Sequence, residues 1–425
     1  MVDGYLSSKI MHIQKMAVPD VIHFIWIGDI NNLNYSYINL WADINIDKEI
    51  CVWCDDSSGK CALLHDAIRQ YVQVNVCDDR IETEKNIRNT AFHYIFNKLK
   101  EGFLFEDLVI DFLKVNNIQY NENQAELFFP EFQKENIKLK KISDIFNDEF
   151  SMFTRYYYYE LILRGNFASA SDIVRLLIIY RYGGIYIDVD VLPDTHNVFK
   201  RFNDYMSKEN YKESDDISLF KTICLLNKMS LTKFDQKKII DHYRDITGLE
   251  WQKNEIIYSL IESDVAEFNI KKILPLGKVL VRENLLTLGT DKRLKGIYLN
   301  CFITSHAKSK VIKIVLRTMA KRYIFLERNN GIFDFYKDKN DHCYLARILP
   351  WRSELITRDY CVTSILTGPG LLVEVLLGLA YTLFKIDESI SPSYICDLMQ
   401  DDRLGIAFSN LNFDTPEAIY STWRQ

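Results

Sequence analysis

The chain of 425 residues carries 52 Lys and Arg against 58 Asp and Glu, a net charge of −6, with 48% apolar residues, 16 Gly and 8 Pro. That length exceeds a minimal single core and points to one large α/β unit with insertions, or to two lobes. The acidic balance argues against a nucleic-acid binder driven by bulk electrostatics, and the composition argues against a disordered or collagen-like chain.

The first residues, "MVDGYLSSKIMHIQKM", lack the continuous apolar core of a signal peptide. "VIHFIWIG" (Val21–Gly28) then reads as a buried strand ending at a glycine, "YSYINLWADIN" (Tyr35–Asn45) as a helix, and "EICVWCDD" (Glu49–Asp56) as a second buried strand ending in acids. This β-α-β order is the usual opening of a nucleotide-binding α/β sheet. From about residue 62 to 163 the pattern is mostly helical, the tyrosine run of "RYYYYELILR" (Arg155–Arg164) being a packed helix face. "KLKK" at Lys138–Lys141 reads as a solvated helix face. Ser171–Tyr182 is a helix with Ser169 or Ser171 as N-cap, Gly183-Gly184 ends it through positive φ, and "IYIDVDVLP" follows as a strand that Pro193 stops.

A second mostly helical region runs from Val198 to Phe268. "GIYLNCFITS" (Gly296–Ser305) is a core strand, "VIKIVLRTMAKRYIFLE" (Val311–Glu327) a helix, "VTSILTGPG" (Val362–Gly370) a strand with a turn, and "LLVEVLLGLAYTLF" (Leu371–Phe384) a helix. That last run is too short to span a bilayer and carries Glu374, so the chain reads as soluble. The tail from Asp401 to Gln425 is loop-rich. The nine cysteines are scattered. The lone C-x2-C of Cys51 and Cys54 is a weak zinc signal, and the odd count fits structural thiols in a reducing compartment.

The chemistry concentrates in one place. Asp188 and Asp190 alternate with Val189, so on a strand both acids project from the same face at its carboxyl end, where open α/β sheets bind ligands. Two carboxylates held together call for a cation, and all-oxygen ligation suits Mn²⁺ or Mg²⁺. Asp172 and Arg175, three residues apart, share a face of the preceding helix, which the Gly-Gly turn returns beside the strand. A metal and an arginine suit a diphosphate, and carboxylates suit sugar hydroxyls, so a sugar nucleotide fits the whole set.

The string S-D-x-x-R-x7-G-G-x-Y-x-D-x-D (Ser171–Asp190) resembles the sugar-donor motif of metal-dependent, retaining glycosyltransferases of GT-A fold. Fungal mannosyltransferases and bacterial polysaccharide galactosyltransferases share it. "HFIWIG", "YINLWADIN" and "NFASASDIVR" are similar to the catalytic domain of the large clostridial glucosylating toxins. "ILTGPG" (Ile365–Gly370) resembles that family's later S-G-P turn, and "YSTW" its terminal S-x-W loop. The resemblance implies a GT-A mixed sheet, one domain over 1–425 with helical insertions at about 62–163 and 198–290, and a lid loop at 401–425. It implies that Trp26 stacks on uracil, that Asp172 and Arg175 hold sugar hydroxyls, and that Tyr186 and Asp188 contact ribose and sugar. It further implies that Asp188 reaches the metal through water, that Asp190 ligates Mn²⁺ directly, and that Asn300 sits near the transferred sugar. Ser421, near the metal, and Trp423, on a phosphate oxygen, close over the diphosphate. A plain core tryptophan is the alternative for Trp26.

Four departures from the family pattern stand out. The family's glutamate metal ligand before the terminal serine aligns with Ala418, next to Glu417. Its asparagine after the second strand has no counterpart in "CDDSSGKCALL". The flanks of Asn300, Leu299 and Cys301, match neither the glucose nor the N-acetylglucosamine pattern, so the donor sugar stays open between the two. The family's N-terminal membrane-targeting bundle is absent, which makes the chain a stand-alone effector or a fragment of a larger toxin.

The resulting expectation is a UDP-sugar-dependent, retaining transferase that modifies a hydroxyl of a host protein, a Rho- or Ras-type small GTPase. It would be secreted or injected by a bacterium and act in the host cytosol, without a transmembrane segment and with peripheral membrane contact left open. One alternative is a glycosyltransferase building a bacterial polysaccharide or glycolipid. Another is a non-catalytic UDP-sugar-binding protein. The two helical insertions favour a protein acceptor, because a small glycan acceptor would not require them.

Overall fold

The computed structural model describes residues 8–28, 30, 33–55, 58–76, 78–121, 134–146, 148–211, 213–231, 251–290, 295–328 and 362–408. Nine strands fall within these residues: β1 (Lys15–Ala17), β2 (Val21–Trp26), β3 (Glu49–Cys54), β4 (Ile137–Lys141), β5 (Gly184–Ile187), β6 (Leu280–Arg282), β7 (Leu286–Thr290), β8 (Tyr298–Ser305) and β9 (Ala407–Phe408). Seven of them form a mixed sheet in the order β4-β3-β2-β5-β8-β7-β9, while β1 and β6 form an antiparallel pair. Strands β4, β3, β2 and β5 are parallel. Strand β8 runs antiparallel to β5 and β7. Strand β2 therefore has β3, its successor in the chain, on one side and the distant β5 on the other. That change of direction opens a crevice at the strands' carboxyl ends.

Strand alternation assigns the core. Ile22 and Phe24 of β2, Ile50, Val52 and Cys54 of β3, and Ile185 and Ile187 of β5 pack on one face with Ile38 and Trp41 of the Tyr35–Ile44 helix. Ile25, Cys51, Trp53 and Tyr186 face the other side, against the Phe167–Tyr182 helix. Cys51 and Cys54 thus lie on opposite faces, which rules out a shared metal and agrees with their reading as buried thiols. The third cluster joins Phe199, at the N-cap of the Lys200–Lys208 helix, and Phe202, Phe220 and Ile261 of the Lys200–Lys208, Asp215–Lys228 and Trp251–Ala266 helices to Tyr37 and Leu40.

The Phe167–Tyr182 helix is buried along most of its length, as its near-continuous apolar run requires. Its N-cap is Asn166, whose side chain accepts from the Ser169 amide at 3.0 Å, rather than Ser169 or Ser171. The helix ends as expected, at Gly183 (φ 67°) and Gly184 (φ 91°). A Cβ on Gly183 would lie 2.6 Å from the Ala307 amide nitrogen, and one on Gly184 2.7 Å from the Val21 carbonyl oxygen. The Trp53 indole donates to His23 Nδ1 at 3.2 Å, so His23 Nε2 carries the proton and donates to the Gly183 carbonyl at 3.0 Å.

Several local readings change. Residues 137–141, read as a helix face, form β4, the edge strand beside β3, and lysines at positions 138, 140 and 141 suit an unpaired edge. The 62–163 stretch therefore contains a sheet strand, and 198–290 ends in β6 and β7. The tyrosine run is buried as expected, but its helix, Ser151–Tyr158, widens to a π-turn over Tyr159–Arg164. Residues 362–366 are helical, not a strand, and Pro369 opens the Pro369–Phe384 helix at its first position. No helix among the described residues is long and apolar enough to cross a membrane.

Candidate active site

The crevice at the ends of β2 and β5 holds a cleft of about 310 Å³. Trp26, at the last position of β2, lines one part. Asp172, Arg175, Tyr186, Asp188, Asp190, Asn300, Cys301, Thr363 and Gly368 also line the cleft.

Strand β5 ends at Ile187, one residue before the first acid, instead of running to Pro193. Asp188 and Asp190 sit on a turn, closed by the Val191 amide donating to the Asp188 carbonyl at 3.1 Å. A strand would have carried the acids away along the sheet, whereas the turn folds them back over the cleft. Two long-range contacts fix it. The buried Trp41 indole donates to the Val191 carbonyl at 2.7 Å, and the Asp188 amide donates to the Cys301 carbonyl at 2.9 Å.

Arg175 is the centre of the charge array and only 6% exposed. Its guanidinium donates to the Asn300 carbonyl at 2.6 Å, lies 3.2 Å from both Asp188 Oδ1 and Asp172 Oδ1, and stacks 4.4 Å above the Tyr186 ring. Burial opposes its charge, yet Asp188, Tyr186 and Asp172 outweigh burial and push its proton affinity up. Tyr186 in turn donates to Asp188 Oδ1. Among the described residues, Arg175 and Tyr186 both meet Asp188 at Oδ1, so these two contacts do not use Oδ2. Asp172 is 4% exposed. Its Oδ1 accepts from Asn300 Nδ2 at 2.7 Å and its Oδ2 from Thr367 Oγ1 at 2.8 Å. Burial pushes its carboxyl up to about 6, against the pull of Arg175 and Thr367.

Asn300 reaches the cleft because β8 bulges. The β7 pairing steps from Leu288↔Ile303 to Gly289↔Leu299, so Asn300, Cys301 and Phe302 leave that register. Arg175 takes the Asn300 carbonyl, and the Asp188 amide bonds the Cys301 carbonyl one step beyond the Ile187↔Phe302 pair of β5 and β8.

The residues named from the sequence as Trp26, Asp172, Arg175, Tyr186, Asp188, Asp190 and Asn300 therefore meet in one cleft. Ser421, Trp423, Glu417 and Ala418 lie outside the described residues. No group of three or more His, Cys, Asp and Glu side chains is arranged to hold a metal among the described residues. The two carboxylates at 188 and 190 match a hard cation whose remaining ligands come from elsewhere, as a diphosphate would supply. Thr363, which lines the cleft, and Thr367 and Trp41, which support it from behind, were given no role from the sequence, and Cys301 was singled out only as a flank of Asn300. Thr367 stood in the quoted "ILTGPG", but its partner Asp172 is 195 residues away.

The family model of the TcdA/TcdB catalytic glycosyltransferase domain matches residues 130–363, which contain Asp172, Arg175, Tyr186, Asp188, Asp190 and Asn300. The protein belongs to this glycosyltransferase family. A second model, the glycosyltransferase sugar-binding region containing a DXD motif, matches residues 32–211. Toxin A of Clostridium novyi is 26% identical over 341 residues, 72% of this chain and 14% of that protein. Toxin B of Clostridioides difficile is 24% identical over 312 residues, 65% of this chain and 13% of that protein. The chain thus spans only a small part of the curated relatives it matches. Among solved structures, the catalytic domain of alpha-toxin from Clostridium novyi superposes with TM-score 0.64 at 22% identity, covering 100% of this chain and 84% of that one. The UDP-bound glycosyltransferase domain of the YGT toxin gives 0.58 at 17% identity, with 96% and 82% covered. The TcdA/TcdB-type domain is thus built here on a GT-A sheet, with its DXD acids at the carboxyl end of β5.

Proposed function

We propose that the protein transfers glucose or N-acetylglucosamine from its UDP conjugate to a hydroxyl side chain of a host protein, a Rho- or Ras-type small GTPase, with retention at the anomeric carbon. The observation that carries this reading is the Asp172–Arg175–Asp188 array, with Asp190 beside it on the same turn. It offers oxygen ligands for a cation at one end and fixed hydrogen-bonding groups for a sugar at the other. In this reading Trp26 stacks on the uracil, Tyr186 contacts the ribose, and Asp172, Arg175 and Asn300 orient the sugar. Asp188 and Asp190 hold a divalent cation, Mn²⁺ or Mg²⁺. Bound there, the cation supplies positive charge to the diphosphate leaving group. Arg175, kept protonated by its three neighbours, adds fixed positive charge in a site that needs no reorganisation during the reaction. Residues 401–408 are fixed rather than a lid, because Arg282 holds the Arg403 and Leu404 carbonyls and β9 pairs with β7. In this reading Ser421 and Trp423 complete the site from the rest of the 401–425 segment, which acts as a lid that excludes water. The reading assigns no covalent protein nucleophile. The helices between β3 and β4 and between β5 and β6 offer the surface on which a protein acceptor docks. The resemblance to bacterial toxins supports action in the host cytosol after secretion or injection by a bacterium.

The test is UDP release in Mn²⁺ buffer from a panel of UDP-sugars, comparing wild type with Asp190→Ala. Release from one sugar, lost in Asp190→Ala at an unchanged melting temperature, is the expected outcome and names the donor. Equal release by the variant would remove the metal assignment. Calorimetry then separates a protein that needs its acceptor from one that binds no nucleotide.

A further inference from the structure

We propose that Thr367 is a positioning residue for the donor sugar, fixing the Asp172 carboxylate in the orientation in which it meets the cleft. The inference rests on the donor-site reading given above.

The Asp172 carboxylate is held from three separate elements. Arg175 approaches Oδ1 from its own helix at 3.2 Å, Asn300 reaches Oδ1 from β8 at 2.7 Å, and Thr367 reaches Oδ2 at 2.8 Å from the turn after the Val362–Leu366 helix. Two donors on one oxygen anchor Oδ1 but leave the carboxylate able to pivot about it through coupled changes of χ1 and χ2. A third donor on the other oxygen removes that freedom. Thr367 is 1% exposed, and among the described residues its hydroxyl is otherwise shared with the Thr363 carbonyl at a longer 3.3 Å, so Asp172 takes its proton.

The turn is itself registered on the same helix. Thr363 lies one helical turn before Thr367, and its hydroxyl oxygen meets Asn166 Nδ2 at 2.7 Å and Ser169 Oγ at 3.3 Å. Asn166, Ser169 and Asp172 are spaced by three along one helix face, and Thr363 and Thr367 by four along the facing one. The result is a hydroxyl seam ending on the sugar-facing acid. Gly368 follows at the cleft wall, where a Cβ would come within 3.4 Å of Asp172 Oδ2 and 3.1 Å of Ser364 Cα. A sugar hydroxyl must find the lone pairs of Asp172 left over by these donors. A carboxylate free to turn would offer them in the wrong direction, and misplacement of this kind weakens productive binding.

The experiment uses the full chain with Mn²⁺, and UDP-glucose and UDP-N-acetylglucosamine as probes. Wild type is compared with Thr367→Val, which keeps the shape and removes the hydroxyl, and with Thr367→Ser, which restores it. Thr367→Ala stands in should the valine variant not fold. The expected result for Thr367→Val is a donor KM raised about tenfold, the scale of one lost hydrogen bond to a charged group. UDP affinity by calorimetry stays at the wild-type value, and Thr367→Ser returns to near wild-type behaviour. Wild-type kinetics in Thr367→Val overturn the inference. So does an equal loss of UDP affinity, or a failure of Thr367→Ser to restore KM, since either assigns Thr367 to packing. Wild-type protein that neither binds nor turns over either UDP-sugar overturns the donor-site reading, and the inference falls with it.

Discussion

Arg175 illustrates why single residues in this cleft could be named from the sequence. A cation inside an apolar helix must find anions or leave the core, and the nearest candidates in the chain were Asp172, three residues back, and the acids just past the Gly-Gly turn. The structure brings it within 3.2 Å of Asp172 and Asp188. Thr367 and Trp41 were not legible, because a hydroxyl or an indole in an apolar run gives no sign of a partner more than a hundred residues away. Trp26 is the residue whose proposed role is simplest to isolate. It lines the cleft at the end of β2 and is half-buried. Replacing it with alanine removes the stacking surface, so Trp26→Ala should weaken UDP binding about tenfold, the equivalent of about 1–1.5 kcal/mol. Calorimetry with UDP and Mn²⁺ reads this directly. An unchanged affinity would return Trp26 to the core.

At the level of elements, those with strong periodicity and unambiguous stop signals were readable: β2, β3, β8 and the Phe167–Tyr182 helix. Its Gly-Gly terminus is a demanding position, since both glycines have positive φ and Gly184 packs under the Val21 carbonyl oxygen. Gly184→Ala would add backbone strain to a 2.7 Å approach on the first residue of β5. It should lower stability by about 2 kcal/mol or more, read as a shifted urea midpoint at constant slope. A midpoint within error of wild type would mean that β5 and β2 can separate at that edge. The elements misread were those whose neighbours decide them. The apolar signal of β4 is reduced to Ile137 and Leu139 among lysines, and its parallel register with β3 makes it a strand. The β-branched "VTSILT" favours a strand by composition. Thr363 and Thr367 instead lie one helical turn apart and fasten to the Phe167–Tyr182 helix.

Across the whole molecule, two buried histidines link folding to pH. His23, between Trp53 and Gly183, and His65, beside the Leu161 carbonyl, are both lowered to about 4 by burial. The unfolded chain takes up a proton at each below about pH 6.5, and the folded chain refuses it until about pH 4. Their contribution is therefore complete above pH 6.5 and lost as the pH falls towards 4, about 3 kcal/mol for each group. Asp172 and Glu160, raised by burial, act in the opposite direction: the fold gains a proton at higher pH than the unfolded chain does. The total dependence is thus shallower than the histidines alone would produce. A difference measurement isolates one of them. His23→Gln should be less stable than wild type at pH 7.5, and the gap should narrow as the pH falls from 6.5 to 4.5 in urea unfolding. A constant gap would mean that His23 takes up its proton equally in the folded and unfolded chains.

The sequence alone determined the α/β class, the β-α-β opening, the helix that ends at Gly183, and the family, because these follow from short-range periodicity and a spaced motif within one stretch of chain. It also determined which acids and which arginine belong together, because a buried charge restricts its own partners. Only the tertiary structure decided that the DXD acids sit on a turn rather than a strand, since Trp41 and the Cys301 carbonyl hold that turn from 150 and 113 positions away. The β8 bulge that turns Asn300 into the cleft, the edge position of β4, and the hydroxyl seam that fixes Asp172 were decided there as well. Each depends on hydrogen bonds between groups far apart in the chain, and no local pattern of residues encodes them.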